Sequence, residues 1–475
     1  MVDRYVKRWL RGAWIATVSN IDWPSRSGLS KEEQQKEFVQ LLDLCQTLKL
    51  NAVAVQIRPM ADAFYPSHIN PWSTYLTGTQ GKSPGYDPLQ FMVEACHQRC
   101  IEFHAWFNPY RVLLTEKTSE LASNHPARKH PNWVVRYGGK LYYDPGLPEV
   151  RQHIVQSIEE VMQNYAIDAV HFDDYFYPYP VKGESFPDDQ SFKKFGGHFK
   201  NRAEWRRDNV NQLVSEVSKR MKQLRASVRF GISPFGIWRN RSSDPAGSDS
   251  KGLESYDALY ADTRKWVQKE WVDYVAPQLY WKIGNKAADY QKLLQWWVKQ
   301  VHSVSVQLMI GQAAYRIEEW KDGNEIPHQL DENLSHPEVK GSLFFSLKDL
   351  SKNPLQIQEQ LKKDYFRYYA LLPPFGNLSQ HPPTPQAMPT SSTREGVRLR
   401  WTVSSTADIR YFVIYRFAPD QKIDLQRSEA ILAIVPKQAK TVHEYMDRTN
   451  QKPEAYQYLV TAVNQTYQES DPAKL

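Results

Sequence analysis

The feature that most constrains this chain is an alternation. Over about its first 350 residues, short apolar β-rich runs are separated by longer stretches with helical spacing. The strand candidates are residues 12–17, 52–57, 102–107, 166–172, 229–232, 272–279, 306–310 and 341–345. Strands that alternate with helices imply parallel pairing through helical crossovers. Eight such strands are the number that closes the sheet into a (β/α)8 barrel. Between them, Ser30 followed by Glu33 forms a capping-box start for a helix over 31–48. Helical spacing of apolar residues continues over 148–164, 202–226, 256–269 and 287–301.

After Tyr369 the chain changes character. Leu372-Pro373-Pro374-Phe375-Gly376 and His381-Pro382-Pro383-Thr384-Pro385 make a Pro-rich, semi-rigid linker. Beyond it, residues 397–401, 411–415 and 456–463 alternate as short strands, the pattern of a β-sandwich. The expected architecture is therefore α/β: a TIM-type barrel over 1–370, a linker over 371–390 and a small all-β unit over 391–475. The strand around Leu399-Arg400-Trp401, the Tyr415-Arg416 strand end and the 456–463 strand resemble a fibronectin type III domain. In such domains these motifs are structural, and a spacer or wall-attachment role is one reading of the unit.

Bulk properties exclude several classes. The formal charge of +7 is spread through mixed-sign sequence without a basic run, so a nucleic-acid footprint is not expected. No apolar run reaches the roughly 18 residues of a membrane helix. Residues 1–8 carry basic side chains with no apolar segment after them, so no signal peptide is expected. Cys45, Cys96 and Cys100 are too few and too unevenly spaced for a disulfide framework or a zinc site. Cys96 and Cys100, four apart, are expected on one helix facing the core. The 15 Trp, 27 Tyr and 19 Phe are more telling, because many stand beside Pro, Asn, Asp or Arg at strand ends. Flat aromatic faces edged by hydrogen-bonding groups suit sugar rings, which have apolar faces and polar rims.

Barrel chemistry sits where strands end. The fourth strand runs Asp168-Ala169-Val170-His171-Phe172-Asp173-Asp174-Tyr175-Phe176-Tyr177-Pro178. Two-residue alternation turns Val170 and Phe172 toward the outer helices, and His171 and Asp173 toward the barrel axis. Adjacent carboxyls repel, which raises one pKa and lets one act as an acid beside a charged neighbour. Asp173 and Asp174 are the expected catalytic pair. Other strand ends supply candidate substrate-binding groups: Arg58, Asp62, Trp72, His104, Trp106, Asn108, Tyr110 and Arg111 early in the chain. His171, Tyr175, Trp238, Gln278, Trp281 and Tyr315 complete that set. Arg58 and Asp62 are equally able to pair with each other. His104 and His171 lack a clear third ligand, so neither a metal nor another cofactor is expected.

A series of motifs follows in order over most of residues 10–350. They include Arg11-Gly12-Ala13-Trp14, Gln56-Ile57-Arg58-Pro59, Tyr65-Pro66-Ser67, Pro71-Trp72-Ser73, Leu76-Thr77-Gly78 and Tyr86-Asp87-Pro88-Leu89. The run from His104 to Arg111, that from His171 to Pro178, and Trp205-Arg206-Arg207-Asp208-Asn209-Val210-Asn211 continue the series. Gly231-Ile232-Ser233-Pro234-Phe235-Gly236 and Ala276-Pro277-Gln278-Leu279-Tyr280-Trp281 complete it. Taken in order, these motifs resemble the glycosyl-hydrolase-like family 10 of bacterial cell-envelope glycosidases. The resemblance implies a (β/α)8 barrel, export, and action on GlcNAc/MurNAc wall glycans, notably peptidoglycan strands stripped of their peptides.

The Asp173-Asp174 pair is also similar to the adjacent aspartates of O-GlcNAcase-type barrels, which work on 2-acetamido sugars by substrate assistance. On that likeness Asp173 orients the acetamido group, and Asp174 is the general acid and then the base. Tyr280 bonds near the acetamido carbonyl, while Gln278, Asn108 and Arg58 bind sugar hydroxyls. A conventional mechanism is the rival, with Asp173 as nucleophile and Asp22, Asp62 or Glu102 as acid. Two other function classes compete. A non-catalytic glycan-binding barrel would use the aromatic ends without needing the aspartates. A deacetylase would want a metal cluster, and a neutral-polysaccharide glycosidase would want a second, separated carboxylate.

Overall fold

The computed structural model describes residues 2–376, 379–404, 408–450 and 452–475. Positions 377 and 378 of the expected linker, 405–407 and 451 of the expected sandwich, and residue 1 lie outside the described residues.

Eight parallel strands close into a barrel, each hydrogen-bonded to its neighbours in sequence, with the last beside the first. They are Leu10–Ile15, Ala52–Arg58, Glu102–Phe107, Ala169–Phe172, Arg229–Ile232, Tyr274–Val275, Gln307–Gln312 and Val339–Phe344. All eight expected strands are present. The sixth is cut to two residues because Pro277 has no amide to donate to the ladder. Single bridges from Gln278 to Phe235 and Gly311 keep the chain aligned beyond it. The expected alternation holds on the fourth strand. Val170 and Phe172 join the apolar layer under the helices, while Ala169 joins the residues filling the barrel.

The helix Lys31–Thr47 starts at the expected capping box, with Glu33 N donating to Ser30 Oγ at 3.2 Å and Ser30 N to Glu33 Oε2 at 2.8 Å. Pro148–Asn164 and Arg202–Leu224 follow the expected helices closely. The helix expected over 256–269 is instead broken into Ser255–Ala258 and Thr263–Gln268. Tyr260 takes a left-handed φ of 53°, and Asp262 restarts the helix as its cap. Cys96 lies in the helix Pro88–His97, but that helix ends before Cys100, which takes φ 56°. The two cysteines therefore do not share a helical face. An insertion after the third strand builds a small antiparallel sheet from Arg111–Leu113, Lys140–Tyr143 and Val134–Tyr137. Its short strands carry no period strong enough to register beside the barrel pattern.

The C-terminal residues form two antiparallel sheets. One contains Gln386–Thr393, Gly396–Thr402 and Val442–Asp447; the other contains Ile431–Pro436, Tyr411–Phe417, Gln457–Val463 and Ala473–Lys474. Val397, Leu399, Trp401, Phe412, Ile414 and Val460 fill the space between them. The outer face of the second sheet, with Tyr411, Val413 and Tyr415, packs beneath the barrel against Leu10, Leu371 and Leu372.

The barrel floor is polar and fully enclosed. Glu102 pairs with Arg229, accepts from His104 Nε2 at 2.9 Å and accepts from the Tyr467 hydroxyl at 2.6 Å. Burial alone would raise the Glu102 pKa, but Arg229 and the hydrogen-bonded His104 hold it at about 2. Gly231 is required beside this floor, because a Cβ there would lie 1.9 Å from Tyr274 Cζ. Removing one partner of a buried pair strands the other charge. Arg229→Met is therefore expected to cost about 3–5 kcal/mol of stability, read as a lower denaturation midpoint. An unchanged midpoint would show that the floor does not depend on this pair.

Candidate active site

The C-terminal ends of the strands surround a cavity of about 400 Å³. Its lining includes Asp173 and Asp174, with Trp106, Arg111, Tyr175, Gln278, Tyr280, Trp281 and Tyr315. The fourth strand ends at Phe172, so Asp173 keeps the inward register and Asp174 begins the loop.

Asp173 is held only by N–H donors. Trp106 Nε1 donates to its Oδ2 at 2.9 Å, Asn108 Nδ2 at 3.1 Å, and the Tyr175 amide to its Oδ1 at 3.1 Å. Asp174 has different company. The Tyr179 hydroxyl bonds its Oδ2, and Gln278 Nε2 donates to its Oδ1 at 3.0 Å. Gln278 also donates to Ser233 O at 3.0 Å, which fixes the amide between two strand ends. Burial, then the neighbouring Asp174 charge, pushes Asp173 up to about 7 against the pull of Arg111 and the donors. Burial also raises Asp174, opposed by Tyr179 and Gln278. Side-by-side carboxyls of this kind resist ionising together, so the two titrate as a coupled pair.

Aromatic rings make the cavity wall. Phe235 meets Trp281 edge-on at 5.5 Å, Tyr280 meets Tyr315 at 5.7 Å, and Tyr175 meets Tyr179 at 5.5 Å. Tyr175 and Tyr315 are exposed at 39% and 47%, leaving ring surface at the rim for an apolar ligand face.

Several expected contact residues lie elsewhere. Arg58 is buried and donates to the carbonyls of Asn108 at 2.9 Å and Pro109 at 3.2 Å, so it braces the third strand's loop. Asp62 accepts from the Met60 amide instead of pairing with Arg58. Trp72 packs half-buried against the helix-side core, and Tyr110 is buried within it. Trp238 stacks on Trp296 and donates to Asp262. His104 and His171 lie inside the barrel, each bonded to the Tyr274 hydroxyl. Asn108 and Gln278 hold the two aspartates and are not free hydroxyl binders. Asp22, Asp62 and Glu102 do not line the cavity. Asp22 accepts from Ala16 N at 2.7 Å and Ser346 Oγ at 2.5 Å, and Glu102 lies at the floor.

The sequence reading missed Trp14, Gln56, Tyr179, Ser233, Phe235, Arg316 and Phe345, which also line the cavity. Trp14 and Phe345 lie on or just past strands whose ends were not read for chemistry. Tyr179 continues the aromatic run that follows the aspartates. A larger cavity, about 690 Å³, opens under the barrel against the C-terminal sheets. Its carboxylates are already engaged, Asp168 by Arg410 and His97, and Glu102 by Arg229. That cavity is a seam between packed units.

Known proteins place the chain clearly. The family model "Glycosyl hydrolase-like 10" matches residues 9–326. The glycosyl hydrolase YngK of Bacillus subtilis (strain 168) is 47% identical over 490 aligned positions, covering 100% of this chain and 94% of that protein. The glycosyl hydrolase DigH of Escherichia coli (strain K12) is 40% identical over 373 positions, covering 73% of this chain and 85% of that protein. Among solved structures, the PgaB glycoside hydrolase domain from Bordetella bronchiseptica matches with a TM-score of 0.49 and 13% identity. That match covers 74% of this chain and 98% of that one.

The raised Asp173 pKa has a consequence for stability. The folded state keeps a proton on this group between its ordinary value of about 4 and about 7, where the unfolded chain has lost it. Its contribution is therefore intact below pH 4 and lost as pH rises through 7. Asp173→Asn removes that loss, so its melting temperature relative to wild type is higher at pH 8 than at pH 5. Parallel melting curves at the two pH values would contradict the assignment.

Proposed function

The chain belongs to the glycosyl hydrolase-like 10 family and is a glycoside hydrolase, and on that premise we propose that it cleaves N-acetylated bacterial wall glycans by substrate-assisted catalysis. The substrate of this reading is the GlcNAc/MurNAc strand of peptidoglycan, especially where peptides have been removed. The observation that carries it is the carboxylate inventory of the cavity: Asp173 and Asp174 are adjacent, and no other carboxylate lines it among the described residues. A conventional pair needs two carboxyls about 5–5.5 Å or 6.5–9.5 Å apart across the scissile bond. With both acidic groups on neighbouring residues, the nucleophile is better supplied by the sugar's own acetamido oxygen.

In this mechanism the acetamido carbonyl oxygen attacks the anomeric carbon as the glycosidic C–O bond breaks. Asp174 gives its proton to the departing oxygen. It then takes a proton from the water that opens the cyclic intermediate and restores the acetamide. Burial and the Asp174 charge raise the Asp173 pKa in the free protein. Once the sugar is bound, the acetamido N–H, with positive charge growing on its nitrogen, favours the ionised form. Asp173 then accepts that N–H and stabilises the charge. The donor-only surroundings of Asp173 suit a carboxylate. The Tyr179 hydroxyl beside Asp174 can donate to a carboxylate or accept from a carboxylic acid, which suits a group that alternates. In this reading Tyr280 bonds the acetamido carbonyl and Trp281, Tyr175 and Tyr315 meet sugar faces; all four line the cavity. We assign residues 1–370 to the catalytic barrel, 371–385 to the linker and 386–475 to a fibronectin type III-like spacer. The expected linker is shortened because Gln386–Thr393 is already a strand of the sandwich.

The direct test is incubation with peptide-free peptidoglycan strands followed by mass spectrometry. New oligosaccharides ending in GlcNAc or MurNAc are expected from wild type. Asp174→Asn is expected to lose about 10²–10⁴ of the rate, the usual worth of a general acid. Retention of the strands without cleavage would favour a glycan-binding role instead.

Loss of the Tyr179 hydrogen bond raises the Asp174 pKa further, since that bond lowers it. Tyr179→Phe is therefore expected to turn over more slowly, with the alkaline limb of its kcat/KM profile moved to higher pH. A limb that moves to lower pH would oppose this role for Tyr179.

A further inference from the structure

Arg111 is the odd group in the cavity. Its residue is only 8% exposed, yet its guanidinium makes a single long hydrogen bond, Nη1 to Pro59 O at 3.5 Å. It rests 4.7 Å over the Tyr175 ring, and no carboxylate of the described residues pairs with it. The cavity's other arginine is engaged at all three nitrogens: Arg316 donates from Nη1 to Tyr280 O at 2.6 Å and from Nε and Nη2 to Glu319. A sheltered guanidinium with spare donors is a fork built for a carboxylate. Asp173 and Asp174 are near enough for Arg111 to influence both, but neither takes its hydrogen bonds.

We propose that Arg111 binds a carboxylate carried by the same sugar whose acetamido group Asp173 orients. This rests on the N-acetylated glycan reading above and adds the identity of the sugar at the cleaved position. The tie between the two residues is local. Arg111 lies over the ring of Tyr175, and the Tyr175 amide donates to Asp173 at 3.1 Å. A ligand that meets both groups carries an acetamido group on one ring carbon and a carboxylate-bearing substituent on the next. N-acetylmuramic acid does so, with the acetamido on C2 and a lactyl ether on O3. Its carboxylate is free only where no peptide is attached, because the peptide consumes it as an amide. Preference for peptide-free strands then follows from one charge-assisted contact. The bond cleaved is the one leaving a MurNAc reducing end.

The experiment uses the full chain and two preparations of peptide-free strands, one with free lactyl carboxylates and one with those groups converted to methylamides. Wild type is expected to favour the free form by about tenfold or more in kcat/KM, the scale of one charge-assisted hydrogen bond. Its products are expected to end in reducing MurNAc. Arg111→Gln should lose the preference, and Arg111→Lys, which keeps the charge, should retain much of it. Both variants should melt near wild type. Equal loss on both strands in Arg111→Gln with the preference unchanged would overturn the proposal, as would GlcNAc-ended products. Absence of cleavage of either strand by wild type would instead overturn the wall-glycan reading itself.

Discussion

One run of hydrogen bonds through the middle of the barrel orders the molecule from floor to mouth. Tyr467 donates to Glu102, and His104 contributes its Nε2–H to the same carboxylate. His104 Nδ1 and His171 Nδ1 both reach the Tyr274 hydroxyl, at 2.7 and 2.8 Å. Trp14 Nε1 can only donate, and it meets His171 Nε2 at 3.0 Å. Hydrogen-bond logic therefore places the His171 proton on Nδ1, directed at Tyr274, and the Tyr274 proton on His104. Every member gives one proton toward Glu102. Burial holds the His171 pKa well below its usual value, which suits this neutral relay of donors. A barrel interior filled with polar groups is tolerable because each of these finds a partner.

That run explains both the legible and the hidden parts of the sequence. The strand count and the inward register of His171 and Asp173 followed from alternation, because a barrel interior and its helical jacket sort side chains by a period of two. The same period does not say how far along the axis an inward side chain sits. His171 points inward as expected and His104 does too, but both belong to the packed interior and not to the mouth. Arg58, Tyr110 and Trp238 sit at or beyond strand ends, yet loops fold back over them and bury them. Asn108 and Gln278 were legible as site residues but not in their role, since only the folded chain shows that their amides grip Asp173 and Asp174. Tyr179 was hidden for a similar reason: its reach to Asp174 depends on the turn made by the intervening loop.

The C-terminal sheets close the floor that this network leaves open. Tyr467 reaches Glu102, Arg410 pairs with Asp168, and Lys7 and Arg8 meet Glu469. These contacts lie at the N-terminal ends of the barrel strands, the end that supports stability, while catalytic groups collect at the opposite end. The sheets contribute none of the described residues lining the catalytic cavity. Their dependence on the barrel is nonetheless close, because several of the charges at this seam are buried and would be unpaired without the partner unit.

The mouth is assembled on a different principle. The barrel strands supply the aspartates and the groups that hold them, whereas Arg111 begins the small antiparallel sheet inserted after the third strand. The insertion begins three residues beyond Asn108, whose side-chain oxygen accepts from the Arg111 amide at 3.0 Å. One asparagine thus fixes both the carboxylate proposed to meet the acetamido group and the start of the segment that carries the cation. Chemistry and selectivity are then spaced by a few bonds of backbone and are not left to a mobile loop. On the proposed assignment of Arg111, the reaction centre can stay constant on the strands while the inserted segment decides which substituent the sugar must carry.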